Sequence, residues 1–313
     1  MLKNDMNRIL AIIFSFALLC GAASTAGAMM FSTVAKKENS TFTKCGWESN
    51  PHINAVPLKG KPGKRDMVIV HLKYKCKKFT FDASPNIGSL GLYYYGDILI
   101  EGKTITLNSG NLHMELYSNA AENLKFTMKK TAATIKGGIM FNIWEKCQTM
   151  SSAKLILDDS KIDATGALSF TVPAFYMTPT RNRSGVTIEL NGASYIKCKG
   201  ELLIDTVLAE KPDMHFRFVV NEANGSVPFF SVKEGSFKGT ELHINVKSKL
   251  RKGVYPVFEF TDAKDFSGNF RGIYFNGKKV SIGSTQSIGG ADVTLKIGSA
   301  DKKKNNDLVL EVK

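Results

Sequence analysis

"KLILDDSKIDATGALSF", residues 154–170, holds two short apolar bursts, Leu155-Ile156-Leu157 and Leu168-Ser169-Phe170, around a polar middle with Ile162 and Gly166. It also holds three carboxylates, Asp158, Asp159 and Asp163. Two readings compete. The acids could form a catalytic pair, or they could mark the corner of one coil in a repeating structure. The sequence that follows decides between them. Leu155 aligns with Ile188, Ile162 with Ile196, Gly166 with Gly200, Leu168 with Leu202 and Phe170 with Ile204. Asp158 and Asp159 then fall on Asn191 and Gly192, and one unit earlier on Lys129 and Lys130. Asp, Asn and Gly all tolerate the left-handed backbone of a tight turn. The acids themselves do not recur, so the alignment predicts a corner.

A glycine followed by apolar residues at +2 and +4 recurs through the middle of the chain. Gly110 precedes Leu112 and Met114, and Gly138 precedes Met140, with Asn142 breaking the rule; Gly166 and Gly200 follow, at spacings of 28, 28 and 34. A lone isoleucine stands before each: Ile105, Ile135, Ile162 and Ile196. Before that comes a burst such as "LKFTM" (124–128), "KLIL" (154–157) or "VTIEL" (186–190). A unit of about thirty residues with three short strand pieces cannot bury its own faces. Stacked coils can, because each strand pairs with the one above and below and the inward residues form one apolar column. The expected fold class is therefore all-β, a β-solenoid, with the corner glycines taking φ > 0. The alternative is an antiparallel β-sandwich, whose turn signals are similarly spaced. The glycine register outlasts any single hairpin and favours the solenoid.

The chain has 313 residues and a formal net charge of +14. Residues 1–28 read as a signal peptide: Lys3 and Arg8, an apolar run from Ile9 to Cys20, then small residues ending Ala26-Gly27-Ala28. No later run is long enough to span a membrane, so no transmembrane segment is expected after signal removal. Removal leaves Cys45, Cys76, Cys147 and Cys198, an even number in an exported chain and hence disulfide candidates with three possible pairings. Residues 29–66 read as an irregular basic segment. Between 29 and 78 there are eleven Lys/Arg against three Asp/Glu, densest in "KGKPGKR" (59–65) and "KYKCKK" (73–78). Such a cationic end suits anionic envelope glycans or other extracellular polymers, and no nucleic-acid motif accompanies it. Solenoid coils are expected over 67–250 and a terminal β unit over 251–313.

That last unit carries a resemblance. "KGVYPVFEFTDAKDFSGNFRGIYFNGKKV" (252–280) is similar to the segment closing the passenger β-helix of autotransporter-like proteins. The matching residues are Gly253, Tyr255 and Phe258, then Phe266, Gly268 and Phe270, then Asn276-Gly277; "NNDLVLEVK" (305–313) looks like the final strand of such repeats. The resemblance implies a right-handed parallel β-helix with an antiparallel C-terminal cap, exported and serving at the cell surface. No barrel strands follow, so a secreted, periplasmic or surface-held relative without the barrel is expected.

β-Helices also include polysaccharide lyases and hydrolases, which need acids flanking a sugar bond or a base beside bound calcium. Catalytic candidates here are Asp158, Asp159 and Arg181, the last in the inserted loop "TPTRNRSG" (178–185). Ligand-binding candidates are Tyr93 and Tyr95 in "GLYYYGD" (91–97), which share one face of an extended strand and could stack on sugars. Five scattered histidines show no metal-binding spacing, and neither a metal nor another cofactor is expected. The acids sit at an inferred turn, so the reading favours a non-enzymatic structural or adhesin-like protein. A polysaccharide-binding or polysaccharide-degrading β-helix is the alternative.

Overall fold

The computed structural model describes residues 28–34, 39–49, 56–72, 77–93, 96–116, 123–143, 152–171, 185–205, 213–220, 228–237, 239–247, 249–262, 270–298 and 307–313. One coil shows how the chain is built. Ser152–Asp158 lies on a first face, Lys161–Ala164 on a second and Leu168–Thr171 on a third. Each strand pairs in parallel with its counterpart one coil earlier and one coil later. Repetition gives three sheets of ten, ten and nine strands. Strands adjacent in sequence pair only at the two ends of the sheets. A sandwich of hairpins would pair them throughout, so the fold is the β-solenoid.

The alternation in the sequence maps onto this directly. Asn123–Lys129, Ser152–Asp158 and Gly185–Asn191 each bury their second, fourth and sixth residues. Ile98, Phe126, Leu155, Ile188 and Phe216 run in register up the inside of the first face. Leu112, Ile139, Leu168 and Leu202 do so on the third. Each such fully buried side chain contributes about 1.5–3 kcal/mol relative to exposure. The aligned pairs Leu155/Ile188, Ile162/Ile196, Leu168/Leu202 and Phe170/Ile204 are all true neighbours. Two assignments shift. Ile135 pairs with Leu107 and Ala164, and Ala133 takes the position level with Ile105 and Ile162. The stacked glycine of that coil is Gly137, whose N–H donates to Gly110 O and whose O accepts from Gly166 N. Counted from Gly137, positions +2 and +4 are the buried Ile139 and Phe141, and Asn142 breaks no rule.

The two corners use different chemistry. Gly110, Gly137, Gly166 and Gly200 are not at positive φ. They are glycine because adjacent backbones meet there: a Cβ on Gly166 would lie 2.7 Å from Gly138 N and 2.8 Å from Gly137 C. The left-handed residues sit at the other corner, where Gly102, Lys130, Asp159 and Gly192 have φ of 60°, 47°, 47° and 64°. These stack: Gly102 N donates to Lys129 O, Lys130 N to Asp158 O and Asp159 N to Asn191 O. Behind them a ladder of buried hydroxyls satisfies the corner backbone. Thr131 N donates to Ser160 Oγ and Ser160 N to Ser194 Oγ, both at 3.0 Å, while each hydroxyl donates to a carbonyl of its own coil.

Both ends are plugged by aromatic rings, since a terminal coil has no neighbour to cover it. At the N-terminal end Trp47 packs edge-on against Phe31 and Phe42, and Phe42 lies against Phe81. The described residues of the 29–66 segment form strands that its composition does not suggest. Met30–Val34 joins the third face in parallel with Met67–His71, and Gly46–Glu48 and Pro57–Leu58 add antiparallel strands beyond it. Asn39–Thr41 begins the first face. At the other end the expected antiparallel cap is present. Gly253–Phe260 pairs antiparallel with Asp307–Val312, which pairs with Ala291–Gly298. Asn276 and Gly277, at φ 45° and 80°, turn the hairpin between Gly272–Phe275 and Lys278–Val280. Asp307 Oδ1 accepts a hydrogen bond from Phe260 N at 3.1 Å and locks the final strand.

Candidate functional site

The acids of the opening stretch belong to the corner. Asp159 is left-handed and its Oδ1 accepts from Ala193 N at 3.0 Å, sitting over Gly192, where a Cβ would meet that oxygen. Asp158 is the last residue of its strand, level with Lys129 and Asn191. Both acids are thus placed at the end of a strand and the turn that follows it. Arg181 lies outside the described residues. Cys198 carries a free thiol and is buried. It occupies the inward apolar column after Leu107, Ile135 and Ala164, and burial pushes the thiol up to about 12. Cys45 lies half-buried near Phe42 O, and Cys76 and Cys147 lie outside the described residues.

Tyr93 does point outward from the third face, but it is buried, so its ring is not presented for stacking on sugars. Gly91 makes room for the ring on one side. A Cβ there would lie 3.0 Å from Tyr93 Cζ, so the glycine leaves the slot into which the ring folds back. Tyr95 lies outside the described residues. One coil on, His113 stands level with Gly91. Its Nδ1 is 3.5 Å from Tyr93 Oη, and its Nε2 is 3.6 Å from Glu115 Oε2. His71 precedes Tyr93 in register, and Asn142 follows Glu115. Five polar side chains thus share a column or two on the outward third face.

This cluster brings two histidines, a tyrosine and a glutamate together on one outward face. His113 is 1% exposed. Burial pushes its ring down to about 4. Glu115 favours the charged ring but does not outweigh the loss of water. The sequence could place His113 and Glu115 on one face by alternation. It gave no sign that an outward face would be buried.

The shift has a consequence for stability. The unfolded histidine takes up a proton near 6.5 and the folded one only near 4. Stability is fully present above pH 6.5 and is lost as pH falls towards 4, by about 2–3 kcal/mol. In urea titrations at pH 7 and pH 4.5, His113→Gln is expected to lose correspondingly less on acidification than the parent. Equal losses in the two proteins would remove His113 from this role.

Some outward charges pair across coils. On the first face Lys125 Nζ meets Asp97 Oδ2 and Lys154 Nζ meets Glu189 Oε2, both at 2.7 Å. Nearer the cap Arg271 and His243 both reach Glu241, and the His243 ring stacks on Tyr274 at 4.7 Å. The basic residues Lys59, Lys61, Lys64 and Arg65 are exposed on the N-terminal cap. Asp66 fixes that loop by accepting from Met29 N and Gly63 N. Among the described residues no three His, Cys, Asp or Glu side chains are placed to hold a metal ion. Comparison with protein-family models, with curated proteins and with solved structures found no match.

Proposed function

We propose that the chain is an exported, non-enzymatic β-solenoid that acts as a structural or adhesive element outside the cytoplasm. One observation carries this reading. Asp159 is spent on a left-handed corner and Asp158 ends the strand before it, while the first face carries parallel strands with ion pairs that run from coil to coil. A rigid stack with flat, laddered faces suits contact with extended polymers or with other surface proteins better than the enclosure of one small substrate. The signal-like start and the resemblance of residues 252–280 to passenger-closing segments support export and a surface role. The exposed basic loop at 59–65 supports attraction to anionic envelope polymers.

The test is fractionation of cells making the full chain with a C-terminal tag, followed by protease treatment of intact cells. Export with loss of residues 1–28 is expected, along with protease access or release to the medium. Retention in the cytoplasm with the N-terminus intact overturns the proposal. Release of reducing ends or unsaturated sugars from an acidic polysaccharide would instead establish the polysaccharide-degrading alternative.

A further inference from the structure

A second basic feature lies at the opposite end from the cationic loop. A concavity of about 430 Å³ opens on the C-terminal cap, lined by Lys249, Arg251, Lys252 and Lys313 with Leu250, Ala291 and Val312, and Gly290 at its rim. Its construction follows from the chain. Leu250 is 3% exposed and pins the loop between two strands, leaving its basic neighbours exposed on either side. The Tyr255 hydroxyl donates to Arg251 O at 3.0 Å and holds the loop a second time. Across from it Gly289 and Gly290, at φ 59° and 82°, form the two-residue turn of a hairpin. Without side chains there, that wall stays low, and a Cβ on Gly290 would meet nothing within 4 Å. Lys313 N donates to Asp292 O at 3.0 Å, which fixes the last wall.

No acidic side chain lines the concavity among the described residues. The nearby Glu311 is held by Lys296 at 2.7 Å and sits 3.6 Å from Lys313 Nζ, so Lys313 is partly neutralised. Lys249 and Lys252 supply the charge that is not. Cations gathered in a hollow, with Glu311 offsetting only Lys313 in part, create a net positive field that a multiply charged anion relieves. The cap's one exposed large aliphatic among the described residues is Ile297, too little apolar area to enter a bilayer.

The geometry points to a binding site for an acidic polysaccharide, one carrying carboxylate or sulfate groups, in the C-terminal cap. This goes beyond the surface role proposed above, which placed such attraction at the N-terminal loop. The test uses the full chain and fluorescence anisotropy with labelled polygalacturonate and labelled dextran sulfate. Neutral dextran and vesicles of equal parts phosphatidylcholine and phosphatidylglycerol serve as comparisons. Binding to both acidic polymers but not to dextran is expected, with the two arms showing whether carboxylate or sulfate is preferred. Lys249→Gln with Lys252→Gln should weaken it about 10-fold and flatten its salt dependence, with an unchanged melting curve. Lys59→Gln with Lys61→Gln should weaken it less than about 3-fold.

The site is overturned if the cap variant binds like the parent, if the N-terminal variant loses as much, or if vesicles bind more tightly than the polymers. Absence of all polyanion binding overturns it too. Those results leave the exported structural role standing, since fractionation alone judges it.

Discussion

Phe216→Ala is expected to cost about 3–5 kcal/mol and to loosen the C-terminal coils before the rest of the stack. Phe216 is fully buried on the inner side of the first face. Its ring meets Phe170, Phe230, Phe237 and Phe258 edge-on, at centroid distances of 6.2, 5.7, 5.6 and 5.5 Å. Its place in the solenoid makes it critical. Among the described residues the third-face sheet ends at Leu202–Asp205, and the following coil adds only an isolated bridge between Leu202 and Gly235. The wall missing there is made of rings, with Phe237 stacked on Phe270 at 4.8 Å and set against Phe258 at 4.4 Å. Removing the central ring opens a cavity beside a wall that has no regular strand to close over it. Phe216→Leu keeps much of the volume and is expected to lose clearly less. Guanidinium titration measures the loss. Hydrogen exchange should accelerate in 230–232 and 253–260 while 96–116 stays protected. A loss below about 1 kcal/mol, or uniform acceleration along the stack, would show that the rings do not carry this end.

The middle of the stack was legible because each coil repeats a burial pattern that its neighbours share. Leu155 and Ile188 could be matched from the sequence because both sides of the match face one interior. The corner at Asp158–Asp159 was legible for a similar reason: Asp, Asn, Gly and Lys in one register share only the turn they make. Three features were not. Gly137 and Gly138 stand side by side, and only the neighbouring backbone shows that Gly137 is the stacked one. The N-terminal cap consists of strands of two to five residues, too short to show alternation, and its organising residues are single rings scattered at Phe31, Phe42 and Trp47. The burial of Ile69, Tyr93 and His113 on an outward face depends on what lies over that face, which strand periodicity does not encode. Among the candidate sites, the same limit applied. Sequence could put Tyr93 outside, but not show that its ring would lie against Gly91.

Gly166→Ala is the sharpest test of why the repeat carries glycine, and it is expected to cost about 3 kcal/mol or more. The reason is contact between coils. An alanine Cβ would lie 2.7–2.9 Å from Gly138 N, Gly137 C and Gly138 Cα, all backbone atoms held by the ladder above and below. A side chain could rotate away from such a contact; a paired strand cannot move without breaking hydrogen bonds, among them Gly166 N to Gly137 O at 2.8 Å and Gly200 N to Gly166 O at 3.1 Å. Gly277→Ala separates this from conformational strain. Gly277 has φ of 80° and open space around its Cα, so alanine there suffers only the left-handed backbone, about 1–2 kcal/mol. If backbone conformation alone set the cost, the two substitutions would rank the other way, because Gly277 is at positive φ and Gly166 is not. Denaturant midpoints of the two variants decide it: a clearly larger loss for Gly166→Ala shows that the coils are held at backbone contact along this edge, and that their close spacing sets which residue the edge can carry.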